Sequence, residues 1–276
     1  MYNQQVVKPK ERNYLRQLLG KEYFILRRRL HYLFNNMTFA HVDRGISLKH
    51  SLIKHKSFIL RPLKGVDMYL QYNKVTNLKL AVKQTDKSLI KPGETFSVWR
   101  LLGRPTKNKG YLDGLQLHNG KISKNIGGGL CQLSNLLYWM ALHTPLIITE
   151  RWRHSFDVFP DLDRTIPFGC GSTLAYNYID LQIQNDTDKT FHINLWLDDE
   201  YLNGEITCNE ELKLKYDVYE TDHCIKQQFW GGYTRHNKIW KRITNIVDNT
   251  VTEEFVTENN AIMMYNPLIE NKSIIN

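Results

Sequence analysis

The chain has 276 residues, 42% of them hydrophobic and 12% aromatic, which supplies a buried core and excludes a disordered protein. Its formal charge of +9 is uneven: residues 1–64 hold 14 Lys and Arg against 3 Asp and Glu, and the rest hold 23 against 25. Such an arm is either a solvated basic helix or a surface for something anionic, namely a membrane, a nucleic acid or an acidic partner. Nucleic acid fits worst, because the arm carries no zinc-finger or RNP pattern.

The opening stretch is polar and charged where a secretion signal needs an apolar core. No segment reaches the roughly 18 apolar residues of a membrane span; the nearest, Leu130 to Ile148, is broken by Gln132, Ser134, Asn135, His143 and Pro145. The expectation is a cytoplasmic protein, peripheral to the inner leaflet if the arm reaches it. From Arg12 to Phe34 the residues Leu15, Leu18, Leu19, Leu26, Leu30 and Leu33 recur near helical spacing, with Arg16, Arg27 and Arg28 mostly between them. This predicts a basic amphipathic helix, docked on the body or lying on lipid, with docking preferred for a single helix. Residues 35–64 show no clear period and read as a connector.

A second helix is expected over Lys74 to Gln84, ending before the Pro92-Gly93 turn into a strand. The stretch "LLGRPTKNKGYLDG" reads as loop, and "LQLHNGKISKN" as a hairpin about Asn119-Gly120. A third helix runs from Leu130 to about His143, closed by Pro145. Its core face is Leu130, Leu133, Leu137, Met140 and Ala141, with Cys131, Ser134, Asn135 and Tyr138 opposite. Beyond it the period changes to two in "LAYNYIDLQIQN", "FHINLWLD", "LNGEITCN" and "LKLKYDVYE", with turn residues at Asn185-Asp186 and Asn203-Gly204 and a last strand near Val251 to Val256. Helices first and strands later read as α+β with a mostly antiparallel sheet, a central helix behind a Gly-rich turn, and an N-terminal amphipathic helix.

Three glycines, Gly127, Gly128 and Gly129, stand almost against Cys131 at the start of the third helix. A helix N-terminus favours an anion by up to ~2 kcal/mol, enough to bring a thiol near neutrality. Glycines there leave backbone N–H groups open to a substrate carbonyl, and Gln132 adds a side-chain donor for an oxyanion. His154 is the candidate base, with Asp157 or Asp180 to orient it. Arg151 and Arg153 suit a carboxylate or phosphate. The plain alternative is a structural Gly turn and a buried cysteine, since a free cysteine is among the most buried residue types. Cys131, Cys170, Cys208 and Cys224 show no CxxC spacing, and no metal or other cofactor is indicated.

The motifs "PGETFSVWRLLGRPTKNKGY", "GGGLCQLSNLLYW", "TERWRHSFDVFPD" and "YNYIDLQIQN" resemble the VanW family from about Asn73 to Cys208. Its GGGxCQxS motif corresponds to Gly127, Gly128, Gly129, Cys131, Gln132 and Ser134, and its arginine and His-Ser element to Arg151, His154 and Ser155. The family's Gly-x-Asp-Ala-Thr is here "GCGST", with Gly171 in place of the aspartate. The resemblance implies a link to glycopeptide resistance and the cell envelope, and a peptide-like cell-wall precursor or small molecule as ligand. The order Cys, His, acid is similar to papain-like and transglutaminase-like folds, an analogy of fold alone. Two functions follow: a cysteine-dependent amidase, peptidase or transpeptidase, or a non-catalytic protein holding an anionic or peptide ligand at the Gly-rich loop. The expected organisation is a basic arm and connector (1–64), a VanW-like core (65–210) and a β-rich C-terminal extension packed on it (211–276).

Overall fold

A computed structural model describes residues 13–60, 66–118, 121–153, 155–158 and 165–268. In chain order the elements are α1 (Tyr14–Phe34), β1 (His41–Val42), β2 (His50–Phe58), α2 (Met68–Thr85), β3 (Ser88–Ile90), β4 (Thr95–Ser97) and α3 (Val98–Leu102). A 3-10 turn (Lys107–Lys109), the hairpin strands β5 (Asp113–His118) and β6 (Lys121–Ile126), and α4 (Cys131–Leu142) follow. Then come β7 (Ile147–Glu150), β8 (Phe156–Asp157), β9 (Gln182–Gln184), β10 (Phe191–Leu197) and β11 (Tyr201–Cys208). Three long strands complete the chain: β12 (Leu214–Gln227), β13 (Tyr233–Asn245) and β14 (Val251–Met263).

The fold is α+β. One sheet has the order β1-β3-β10-β11-β2, and α2 and α4 pack against it. Leu78, Ala81, Leu133, Leu137 and Met140 from the helices meet Ile193, Leu195, Leu202 and Ile206 from the strands in a single buried cluster. A three-stranded sheet, β4-β9-β7, and a four-stranded sheet, β12-β13-β14-β8, flank it. Strand pairing is antiparallel except between β14 and β8, where Ile262 and Met263 run parallel to Phe156 and Asp157.

Several sequence expectations change. The connector contains β2, a nine-residue edge strand pairing with β11; its alternation is blurred because Lys54 and Lys56 share it with half-buried Ile53 and Ser57. Asn203-Gly204 is not a turn but lies inside β11, and the chain reverses instead around Asp198, whose carboxylate accepts from the N–H groups of Glu200 and Tyr201. At 204 the strand runs close under α4, since a Cβ there would lie 2.6 Å from the flexible end of Met140. The "LLGRP" loop begins with α3, capped by Ser97 Oγ accepting from Arg100 N. The strand read in "LAYNYIDLQIQN" is confined to β9. The β5–β6 pairing is as expected, while its turn at Asn119-Gly120 lies outside the described residues.

Helix α1 docks on the body, but by another face than its leucines. Asn13 caps it by accepting from Arg16 N. Ile25 is buried, Arg28 forms an ion pair with Glu150 of β7, Tyr32 accepts from Gln182 Nε2 of β9, and Phe24 stacks on Tyr178. Leu15, Leu18, Leu19, Leu26, Leu30 and Leu33 all remain exposed. No described helix is long and apolar enough to cross a membrane.

Candidate functional site

Cys131 is the first residue of α4, preceded by Leu130 in a helical conformation that gives the helix no side-chain cap. The glycine turn takes positive φ at Gly127 (76°) and Gly129 (90°), which L side chains rarely adopt. The space over the glycines is not open to a ligand. A Cβ on Gly128 would lie 2.1 Å from the Gly114 carbonyl oxygen of β5, and one on Gly129 would lie 2.3 Å from Lys74 Cγ of α2. Fully buried Asn77 of α2 fixes this approach, donating to the carbonyls of Gly128 and Leu112 and accepting from Leu112 N. The glycines exist so that a hairpin and a helix can press against the start of α4.

The motif side chains are likewise taken up by the chain. Gln132 Nε2, expected as an oxyanion donor, donates to Ser57 Oγ and the Phe58 carbonyl, tying α4 to β2. Ser134 Oγ donates to the Ser172 carbonyl at 2.7 Å and is wholly buried. Asn135 Oδ1 accepts from Ser172 N, and a Cβ on Gly171 would meet that oxygen at 2.9 Å. A side chain at 171 would therefore displace the exposed amide of Asn135 from Ser172 N.

Arg151 clamps the same loop. Its Nε donates to the Gly171 carbonyl, its Nη2 to the Gly169 carbonyl, and its guanidinium lies 4.7 Å from the centre of the Tyr138 ring. Tyr138 is buried, and its hydroxyl is pushed up to about 12 by that burial. Arg153 Nη2 donates to the Asn260 carbonyl of β14, with its pKa lowered first by burial and then by Arg151. Both arginines, expected to be open to a ligand anion, are bound to carbonyl oxygens of the fold.

The thiol corrects the electrostatic expectation. Cys131 keeps part of its surface exposed, yet it packs against the core and its sulfur is desolvated. Burial pushes the thiol up, and this outweighs the N–H of Leu174, which donates to Sγ at 3.5 Å, and the residue's own N–H. Burial thus works against the ionisation that a helix start favours.

The acids lie in other networks. Asp180 accepts from Ser97 Oγ, Trp99 N and Leu181 N, and its carboxyl is raised to about 6, first by burial. Asp157 accepts from the Tyr265 hydroxyl and faces Arg235 Nη1 at 3.6 Å, both from the C-terminal third. His154 lies outside the described residues. Cys131, the glycines, Gln132 and Ser134 thus lie at one helix start, with Gln132 turned to β2 and Ser134 to the loop at Ser172, while Arg151 lies over Tyr138 farther along α4 and Asp157 and Asp180 are engaged elsewhere.

The sequence reading missed the asparagines that hold this place together. Asn237 of β13 and Asn259 of β14 both donate to the Phe168 carbonyl, and Asn259 Nδ2 also donates to Asn237 Oδ1. Gly169 (φ 82°) is where Asn259 packs, since a Cβ there would lie 2.2 Å from its Cγ. The loop from Phe168 to Leu174 therefore joins α4, through Cys131, Ser134 and Asn135, to the C-terminal sheet. Asparagines inside alternating strands were the available signal, because a buried amide is placed where hydrogen bonds meet it, as for both groups of Asn237 and the Nδ2 of Asn259.

The model of the VanW-like protein family matches residues 73–207, the span that contains the glycine turn, α4, Arg151 and the loop from Phe168 to Leu174 but not β2, β13 or β14. Residues 73–207 are a VanW-family domain. The chain is 46% identical over 154 residues to the vancomycin B-type resistance protein VanW of Enterococcus faecalis, covering 56% of this chain and 56% of that protein. It is 32% identical over 113 residues to the uncharacterized protein YoaR of Bacillus subtilis, covering 41% of this chain and 36% of that one. The matched region is thus about half or less of each relative's own length. No solved structure matches the chain.

Proposed function

We propose that this VanW-family chain is a non-catalytic accessory protein of glycopeptide resistance, which binds a peptide-like cell-wall precursor or a partner at the cell envelope. Cys131 is then a structural thiol. The enterococcal relative's name supports the resistance setting. The observation that supports the non-catalytic reading is the saturation of the motif: Gln132, Ser134 and Arg151 all donate within the fold, and burial favours the neutral thiol. A nucleophile needs the opposite, an ionised sulfur with donors left for the oxyanion.

One observation favours the cysteine acyl-transfer reading: the sulfur accepts from Leu174 N and sits at a helix start, where a thiolate would be held. A resistance assay with Cys131→Ser, at equal protein level and matched thermal unfolding, separates the two. The binding reading expects resistance to persist, with iodoacetamide at pH 7 alkylating Cys131, whose thiol burial pushes up, more slowly than the equally part-exposed Cys224. Loss of resistance in a well-folded Cys131→Ser protein, with fast alkylation of Cys131 in the parent, moves the conclusion to acyl transfer.

A further inference from the structure

We infer that the outer face of α1 is a docking surface for an anionic lipid membrane. The face is defined by what the body leaves over. Ile25, Arg28 and Tyr32 point inward to the contacts with Glu150 and Gln182. Leu15, Leu19, Tyr23, Leu26, Leu30 and Leu33, spaced by four, four, three, four and three residues, are all exposed, Leu26 by 57% and Leu33 by 73%. At 100° per residue these six fall within a stripe about 80° wide and about 27 Å long, turned away from the docked face. Single exposed leucines are ordinary, whereas a continuous row of this length marks an interaction surface.

Charge selects the occupant. Exposed Arg16 and Arg27 border one side of the stripe and exposed Arg29 the other. The single acidic residue of the helix, Glu22, is paired with Arg104 of the body. Apolar side chains between arginines suit the boundary of acyl chains and anionic headgroups, where guanidinium groups remain at the phosphates while leucines enter below. A second copy of the helix packed along the same stripe would bring Arg27 and Arg29 of both chains to the flanks of the seam, where like charges repel. The ion pair with Glu150 gives the helix a fixed outward orientation, so the leucines meet a membrane without the helix leaving the body.

The test is co-sedimentation of the full chain with vesicles of phosphatidylcholine alone or with added phosphatidylglycerol, alongside sedimentation equilibrium without lipid. Binding to the phosphatidylglycerol vesicles is expected, weakened by high salt and roughly tenfold or more by Leu26→Glu with Leu30→Glu. Arg27→Gln with Arg29→Gln is expected to weaken binding to the anionic vesicles by a similar factor. Because all four positions are exposed, unchanged circular dichroism and thermal unfolding serve as the folding control. Three results overturn the inference: no binding to anionic vesicles, equal binding by the leucine variant, or a lipid-free dimer that the leucine variant converts to monomer.

Discussion

The glycine turn with α4 and the N-terminal helix α1 are opposites. The turn carries the most distinctive motif of the chain, and its Gly128 carbonyl and the side chains of Gln132 and Ser134 after it are engaged by the chain's own groups. Helix α1 carries no motif, yet it keeps a row of leucines without an internal partner. A sequence signature at a helix start is thus no measure of availability to a ligand. What is available is what packing has left over.

Four experiments sharpen or break that contrast. The largest effect belongs to Gly128→Ala, whose methyl would lie against backbone of β5 that has no rotamer to change. We expect a loss of about 3 kcal/mol or more in urea unfolding, and a stable variant would mean that the turn is not held as described. Arg151→Ala removes two charge-assisted hydrogen bonds to carbonyls and the contact with Tyr138, for an expected loss of about 2–3 kcal/mol. Arg151→Lys should recover only part of it, because an ammonium cannot span both carbonyls as a fork does.

The third concerns Asp180, whose folded-state carboxyl is raised from 3.8 to about 6. The native state holds that proton more tightly than the unfolded chain, so the associated stability is full below about pH 4 and is lost as pH rises through 6. Asp180→Asn should flatten the change between those limits by on the order of 2 kcal/mol, read as the difference between parent and variant unfolding curves. An unchanged slope in the variant excludes Asp180 as its source. Smallest is Cys131→Ser, expected to cost about 1 kcal/mol or less, since the site offers the N–H of Leu174 to the new oxygen. A large loss of activity in the resistance assay without loss of stability would place the thiol among the reacting groups.

Periodicity located α1, α4, β10, β11 and the first part of β12, because each carries apolar residues at a regular spacing, whereas β13 was not read as a strand and β14 runs on to Met263, past the expected Val256. It failed at β2, where lysines alternate with half-buried residues on an edge strand. It failed again at the first turn and a half of α2, where Met68, Tyr69 and Tyr72 stay exposed although the helix has begun. For the site, residue chemistry named side chains that the fold uses: Cys131 and Ser134 meet the loop at Leu174 and Ser172, Arg151 meets that loop at Gly169 and Gly171, and Gln132 faces β2 instead. Their roles were not legible, because a donor looks the same in sequence whether its acceptor is a substrate or the carbonyl of a residue 20 or 75 positions away, as for Arg151 and Gln132. The orientation of α1 was hidden for a related reason. Its docked side is polar and aromatic, held by Arg28 and Tyr32, so hydropathy pointed to the wrong side of the helix.

The parallel ladder between β8 and β14 sets an order of assembly. Residues 155–157 follow α4 closely in the chain, but their backbone partners are Ile262 and Met264. During synthesis the segment next to His154 must leave the ribosome about a hundred residues before its neighbour exists, and at usual elongation rates it waits for several seconds or longer. Strand β14 therefore closes a sheet edge whose other strand was made well before it.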